Sequence, residues 1–229
     1  MKKLIIAHRG ASDPARENTL EAFQKAIDLR ADMIEFDVRR TQDGRYVIHH
    51  DPHIAGRPLD AMTFREVREM ARSMGFHVPE LEEVLALTRG RIGLDIELKE
   101  EGYEREIVQL VGGILADADF IVSSFHAGCL ARVKQCRAAV RTGLIFNDAA
   151  ALTTDLLEGD TDWLLPVQSL AAGELLERMK RAGKKIAVWT VNDTQQMKRL
   201  LDDDRIEGII TDRTDAAVAV REGREAPSG

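Results

Sequence analysis

Apolar residues in this chain follow two alternating periods. Short β-type runs at residues 4–7, 32–38, 46–49, 92–98, 120–123, 140–146, 163–165, 185–190 and 208–211 are separated by segments of helical spacing. In residues 18–29, Leu20, Phe23 and Ile27 recur every three or four positions and mark one face of an amphipathic helix. Residues 103–116, 128–137, 171–181, 194–201 and 214–220 repeat the theme, several with polar starts such as Asp193 and Asp212, and Gly183 offers a stop. Asp43-Gly44 before the run at 46–49 predicts a hairpin turn. With that hairpin strand set aside, eight strand runs remain, each followed by helix. Such alternation predicts a parallel sheet with helical crossovers, and eight units predict a closed (β/α)₈ TIM barrel. An open doubly wound sheet is the alternative. It would more often carry a glycine-rich turn after the first strand, and His8-Arg9-Gly10-Ala11-Ser12 lacks the repeated glycines.

One segment breaks the alternation. Residues 54–79, with Gly56-Arg57-Pro58 and a helix-like stretch at 63–74, read as a small insertion after the second β unit, not as a domain. The expectation is a single barrel domain over residues 1–222 and a polar tail at 223–229. A length of 229 residues suits one barrel of the usual ~250. Hydrophobic residues at 44% and charged residues at 31% exclude disordered, collagen-like and coiled-coil classes. A net charge of −7 argues against nucleic-acid partners and stable membrane association, and leaves a phosphate-bearing substrate in need of local positive charge. Cys129 and Cys136 match no zinc or redox spacing, and the apolar run at 4–7 is too short for a signal peptide, so a cytoplasmic setting is expected.

Polar clusters sit where apolar strand runs end, which in a barrel is where reactive groups gather. Glu35 and Asp37 are two apart on a strand and point to one face, and Glu97 on the neighbouring strand offers a third carboxylate. Such a trio suits a hard divalent cation, while Arg39, Arg40 and Lys99 could instead neutralise it in an ion-pair network; spacing leaves both open. His8 and a histidine of the His49-His50 pair are candidate acid–base groups, and strand alternation sends His49 and His50 to opposite faces. Arg9 and Lys99 are fixed cations at the same rim, suited to a phosphate. Asp95, two residues deeper than Glu97, reads as a buried orienting partner. Trp189 is a candidate wall against substrate, or rim packing.

The same residues resemble the glycerophosphodiester phosphodiesterases, compact bacterial members in particular. The likeness rests on His8-Arg9-Gly10, Glu17-Asn18-Thr19, Ile34-Glu35-Phe36-Asp37-Val38, His50-Asp51-Pro52, Glu97-Leu98-Lys99, Ser124-Phe125, Trp189-Thr190-Val191-Asn192 and Gly208-Ile209-Ile210-Thr211-Asp212. These run in order from residue 8 to residue 212. The resemblance implies a TIM barrel that hydrolyses glycerophosphodiesters to sn-glycerol 3-phosphate and an alcohol with one divalent cation, Mg²⁺ or Ca²⁺, with Mn²⁺ a further choice. It implies Glu35, Asp37 and Glu97 as metal ligands and His8 with His50 as the acid–base pair, selecting His50 over His49. Arg9 and Lys99 become phosphate-binding cations, and Glu17 an orienting group. The family's proline before Glu17 is Arg16 here, and its usual Gly-Ala-Asp is Arg30-Ala31-Asp32. Two other readings stand beside it: phospholipase-D-type action on lysophospholipids with the same groups, and a silent phosphodiester-binding barrel. Monomer and homodimer are both compatible with the sequence.

Overall fold

A computed structural model of the chain describes residues 2–12 and 15–227. Met1 of the expected domain and Ser228 and Gly229 of the expected tail lie outside the described residues.

Eight parallel strands close on themselves. They are β1 (Leu4–Ala7), β2 (Met33–Arg40), β6 (Gly93–Leu98), β7 (Phe120–Ser124), β8 (Arg141–Phe146), β9 (Trp163–Pro166), β10 (Lys185–Val188) and β11 (Gly208–Thr211). Each pairs with its neighbours in that order, and β1 pairs with both β11 and β2 to seal the ring. The helices between them are α1 (Leu20–Asp28), α3 (Leu81–Thr88), α4 (Glu104–Gly112), α5 (Ala127–Cys136), α6 (Thr154–Glu158), α7 (Gly173–Arg181), α8 (Thr194–Asp202) and α9 (Thr214–Arg221). The architecture is the expected (β/α)₈ barrel. The helix after β8, α6, is a five-residue stub.

Residues 41–80 hold the excursion. Strand β3 (Tyr46–Ile48) returns antiparallel along the upper half of β2, on the edge whose lower half pairs with β1. Two short strands, β4 (His53–Ile54) and β5 (Arg57–Pro58), and helix α2 (Phe64–Ser73) follow. Thr63 and Glu66 cap α2 reciprocally, Thr63 Oγ1 accepting from Glu66 N–H and Glu66 from Thr63 N–H. Val47, Ile54, Leu59, Met62 and Val67 give the excursion a small core of its own.

Strand alternation sorts the barrel interior. Ile6, Met33, Ile121, Ile145, Trp163, Leu165 and Ile210 fill the lower bore as one apolar cluster. Above it the inward positions change character. Glu35 stands level with Asp95, and Asp37 with Glu97 and then Ser123, across β2, β6 and β7. Outward residues of the same strands, such as Phe36 and Ile96, pack beneath helices, and the tilted pair Phe23–Phe36 joins α1 to β2. The apolar bore is therefore the floor of a polar mouth.

Candidate active site

The turn after β1 shapes the first wall. Gly10 sits at φ +87, where a Cβ would meet the Ala22 Cβ at 2.7 Å, so only glycine fits this approach to α1. Arg9 beside it is also left-handed, φ 53, a state in which the Cβ of any non-glycine residue crowds its own backbone. That conformation aims Arg9 N–H at Glu35 Oε2, 2.9 Å away. The Arg9 guanidinium lies between Glu17, at 2.9 and 3.0 Å, and Asp37, at 3.2 Å. Asn18, left-handed at φ 56 and buried, donates from Nδ2 to Asp37 Oδ2 at 2.7 Å.

Glu35, Asp37 and Glu97 each offer an oxygen within 4.8 Å of the others, and all three are buried. Lys99 Nζ reaches Glu97 Oε1 at 2.7 Å and Asp37 Oδ1 at 3.2 Å. The surroundings split the trio. Burial, and then the charges of Asp37, Glu97 and Asp95, push Glu35 well above the usual carboxylate range. Burial and Asp37 push Glu97 up to about 7. Asp37 is held low although burial opposes it, because Lys99, Arg9 and Asn18 all favour its anion. Arg9 and Lys99 together hold Asp37 as its anion, while Lys99 offsets only part of the burial at Glu97 and Arg9 only part of it at Glu35. Glu35 Oε1 is buried without a hydrogen-bond partner among the described residues. A hard oxygen donor set, crowded and undercompensated, fits a divalent cation.

The histidines come from two loops, one after β1 and one after β3. His8 Nδ1 and Asp212 Oδ1 are 2.6 Å apart, while His8 Nε2 lies 3.9 Å from Glu35 Oε2. Asn192 Nδ2 donates to the other Asp212 oxygen at 2.6 Å. This chain of contacts fixes the ring so that Nε2 faces the carboxylates. His50 Nδ1 pairs with the exposed Asp51 at 2.9 Å, and its carbonyl accepts from Arg39 Nε at 2.7 Å.

A cavity of about 180 Å³ brings His8, Arg9, Glu35, His50, Glu97 and Lys99 together. Trp189 and Phe125 complete its wall, edge to face at 5.7 Å, and Trp189 Nε1 is anchored on Leu165 O at 2.7 Å. A larger hollow of about 860 Å³ lies at the other end of the strands, beside Arg141, Trp163 and Lys185. Among its cations, Arg141 and Lys184 bond backbone carbonyls, Lys134 pairs with Asp162, and Lys185 lies over the Trp163 ring at 5.3 Å. The polar groups expected to react gather in the smaller space.

His50 lines the cavity and its neighbour His49 does not. Glu17 does not line the cavity and accepts from Arg9, which does. Arg39 and Arg40 do not neutralise the trio; Arg39 pairs with Glu100, and Arg40 lies over the Tyr103 ring. Asp95, expected as a buried orienting partner, is buried in the cavity floor, where burial raises its pKa and Ser123 on the neighbouring strand lowers it. Sequence reasoning assigned no role to Asn18, Phe125, Asn192 or Asp212. All four sit within the motifs it quoted, but nothing in their spacing announces Asn18–Asp37 or Asp212–His8.

Residues 8–216 match the Glycerophosphoryl diester phosphodiesterase family. A glycerophosphodiester phosphodiesterase of Caldanaerobacter subterraneus subsp. tengcongensis is 30% identical over 243 residues, covering 97% of this chain and all of the relative. The crystal structure of a glycerophosphodiester phosphodiesterase from Thermotoga maritima is similar with a TM-score of 0.78 and 26% identity, covering 93% of this chain and 96% of that one. An Oleispira antarctica phosphodiesterase, solved in complex with the product sn-glycerol-3-phosphate, shares the fold at TM-score 0.83 and 23% identity, covering 96% of each chain. With a match that starts at His8 and runs past Asp212, over a barrel of the same shape, this chain belongs to the glycerophosphoryl diester phosphodiesterase family.

Proposed function

We propose that this phosphodiesterase, acting as one domain of residues 1–222, hydrolyses glycerophosphodiesters to sn-glycerol 3-phosphate and an alcohol. Glu35, Asp37 and Glu97 hold a divalent cation, Mg²⁺ or Ca²⁺, and His8 and His50 are the acid–base pair. The observation that carries this reading is one small cavity that two histidines enter from separate loops, beside a carboxylate trio and two cations. When bound, the cation supplies Lewis-acid charge to the phosphoryl oxygens and the glycerol hydroxyl.

This chain's own groups supply the remaining steps. One histidine takes the proton of the glycerol C2 hydroxyl as its oxygen attacks phosphorus. The other gives a proton to the departing alcohol as its P–O bond breaks, leaving a cyclic glycerol phosphate. Water then opens the ring with the two histidines exchanging tasks, as microscopic reversibility requires. Arg9 and Lys99 face the charge that spreads over the phosphoryl oxygens, contacts typically worth ~3 kcal/mol each. Trp189 and Phe125 form an apolar wall for the glycerol carbons. A cavity of about 180 Å³ has room for glycerol and phosphate and leaves the alcohol outside, which favours tolerance of many head groups.

Both cysteines are free, in keeping with a reducing cytoplasm. No helix among the described residues is long and apolar enough to cross a membrane. The test is turnover of glycerophosphocholine with Mg²⁺, Mn²⁺ or Ca²⁺, read as sn-glycerol 3-phosphate release and repeated with chelator. Lysophosphatidylcholine serves as the competing substrate. Turnover that survives complete chelation, or a His8→Ala protein as active as the wild type, would overturn the scheme.

A further inference from the structure

The loop that carries His50 has little sheet to hold it. Strand β3 ends at Ile48, and His49 N–H donates to Asp37 O at 3.0 Å as the last ladder-like bond before the chain turns away. His50 is then fixed by its own carbonyl, which accepts from Arg39 Nε at 2.7 Å. Arg39 occupies the inward position after Glu35 and Asp37 on β2, one step nearer the rim, and is 8% exposed.

Its guanidinium faces two ways. Nη1 pairs with Glu100, the residue after Lys99, and the second Glu100 oxygen lies 2.9 Å from the buried Tyr103 hydroxyl. That hydroxyl also lies 2.9 Å from Val38 O, within β2. The loop bearing His50 and the loop bearing Lys99 are thereby tied to one guanidinium and referenced back to the strand that carries Glu35 and Asp37. A planar guanidinium holds Nε and Nη1 in fixed relative geometry, so the two ties come from two separate atoms of one rigid group, where an ammonium offers a single nitrogen.

We propose that Arg39 is the positioning residue for His50, with Glu100 and Tyr103 holding Arg39 in place. It touches neither substrate nor cation in this scheme and acts through the backbone of His50. The inference rests on the reading of His50 as an acid–base group.

The test is Arg39→Met, which keeps the apolar stem and loses both ties; Glu100 is exposed enough to remain solvated when released. With glycerophosphocholine and saturating Mg²⁺, kcat should fall about 10- to 100-fold, while KM and the Mg²⁺ concentration for half-maximal rate change less than about twofold. Arg39→Lys should recover only part of the loss. In the double variant Arg39→Met/His50→Ala, the Arg39 change should add almost nothing to the loss from His50→Ala alone. The His50 ring signals in the NMR spectrum of the metal-free protein should broaden or split in Arg39→Met and stay single in wild type. Should Arg39→Met fail to fold, Glu100→Ala carries the same test with a smaller loss and the same lack of addition to His50→Ala. Wild-type kcat in the folded variant, or losses that multiply in the double variant, would overturn the inference. A fully active His50→Ala protein would instead sink the acid–base reading on which it stands.

Discussion

The two ends of the barrel use the same chemical group in opposite ways. At the strand starts, carboxylates stand apart and are fully engaged. Asp32, Asp162 and Glu207, each just before a strand, accept from the backbone N–H of Ile5, Thr142 and Ile186 on the neighbouring strand, at 2.9, 2.8 and 2.7 Å. Each also has a cation: Arg221 and Lys2 for Asp32, Lys134 for Asp162, Lys180 for Glu207. Asp32 is held low against the opposing effect of burial, and bonds from Arg205 bring Asp203 down to about 2. At the strand ends, Glu35, Asp37, Asp95 and Glu97 crowd one wall, and three of the four are pushed up. One end stabilises the ring, because Asp32 and Asp203 are better off as anions in the folded chain. The other end weakens it, and in the proposed scheme that crowding of negative charge is what a divalent cation would relieve.

Removing a carboxylate should therefore cost activity at one end and stability at the other. The largest effect is expected for Asp37→Asn: turnover of glycerophosphocholine with Mg²⁺ should drop about 10³-fold, with the metal-free protein folded by circular dichroism. Substantial activity in that variant would remove Asp37 from the ligand set. Asp212→Asn should lower kcat about 100-fold by loosening or mis-protonating His8, with Mg²⁺ dependence unchanged.

Next come two aspartates whose stability effects should have opposite signs. Burial raises Asp95 from 3.8 to about 6. Between those values the folded chain binds the proton more tightly than the unfolded one, so stability falls as pH rises through that window. Asp95→Asn should accordingly stabilise the metal-free protein at pH 8 by about 2 kcal/mol and much less at pH 4, by urea unfolding. Asp203 is lowered from 3.8 to about 2, so its contribution is present above the unfolded value and lost as pH falls toward 2. Asp203→Asn should cost about 1–2 kcal/mol at pH 7, with little effect on turnover. If both variants shift stability in the same direction at neutral pH, the contrast between the two ends is broken.

The smallest effect concerns Arg30, which is left-handed at φ 60 where the family usually has glycine. Arg30→Gly should raise stability by about 0.5–1 kcal/mol, the relief of left-handed strain exceeding the added chain entropy. A fall in Tm would show that the Arg30 side chain contributes more than its backbone costs.

Much of the barrel was legible because its signals are local. Alternation along β2 places Glu35 and Asp37 on one face, and the 3.6-residue period of α1 marks Leu20, Phe23 and Ile27, which pack against one core cluster with Phe23 fully buried. Eight such units in sequence leave few ways to close a parallel sheet. The cluster at the strand ends was equally visible, since each polar group follows its own apolar run. Less visible were the stub α6, whose shortness no period marks, and the pairing of β3 with the upper half of β2.

The sequence by itself determined which residues face inward, which end of each strand is polar, and which family the ordered motifs resemble. Tertiary structure alone decided who meets whom. Closure of β1 on β11 brings Asp212 to His8; the left-handed Asn18 reaches across to Asp37; Arg39 crosses a loop to the carbonyl of His50. These contacts join residues 11, 19 and 204 positions apart, and their distances depend on strand register and ring closure, which no local period encodes. The pKa pattern has the same origin. Asp37 and Glu97 differ little as sequence, but two cations converge on the first while burial governs the second. Burial and charge at a point are sums over everything packed around it, and only the closed barrel defines that surrounding.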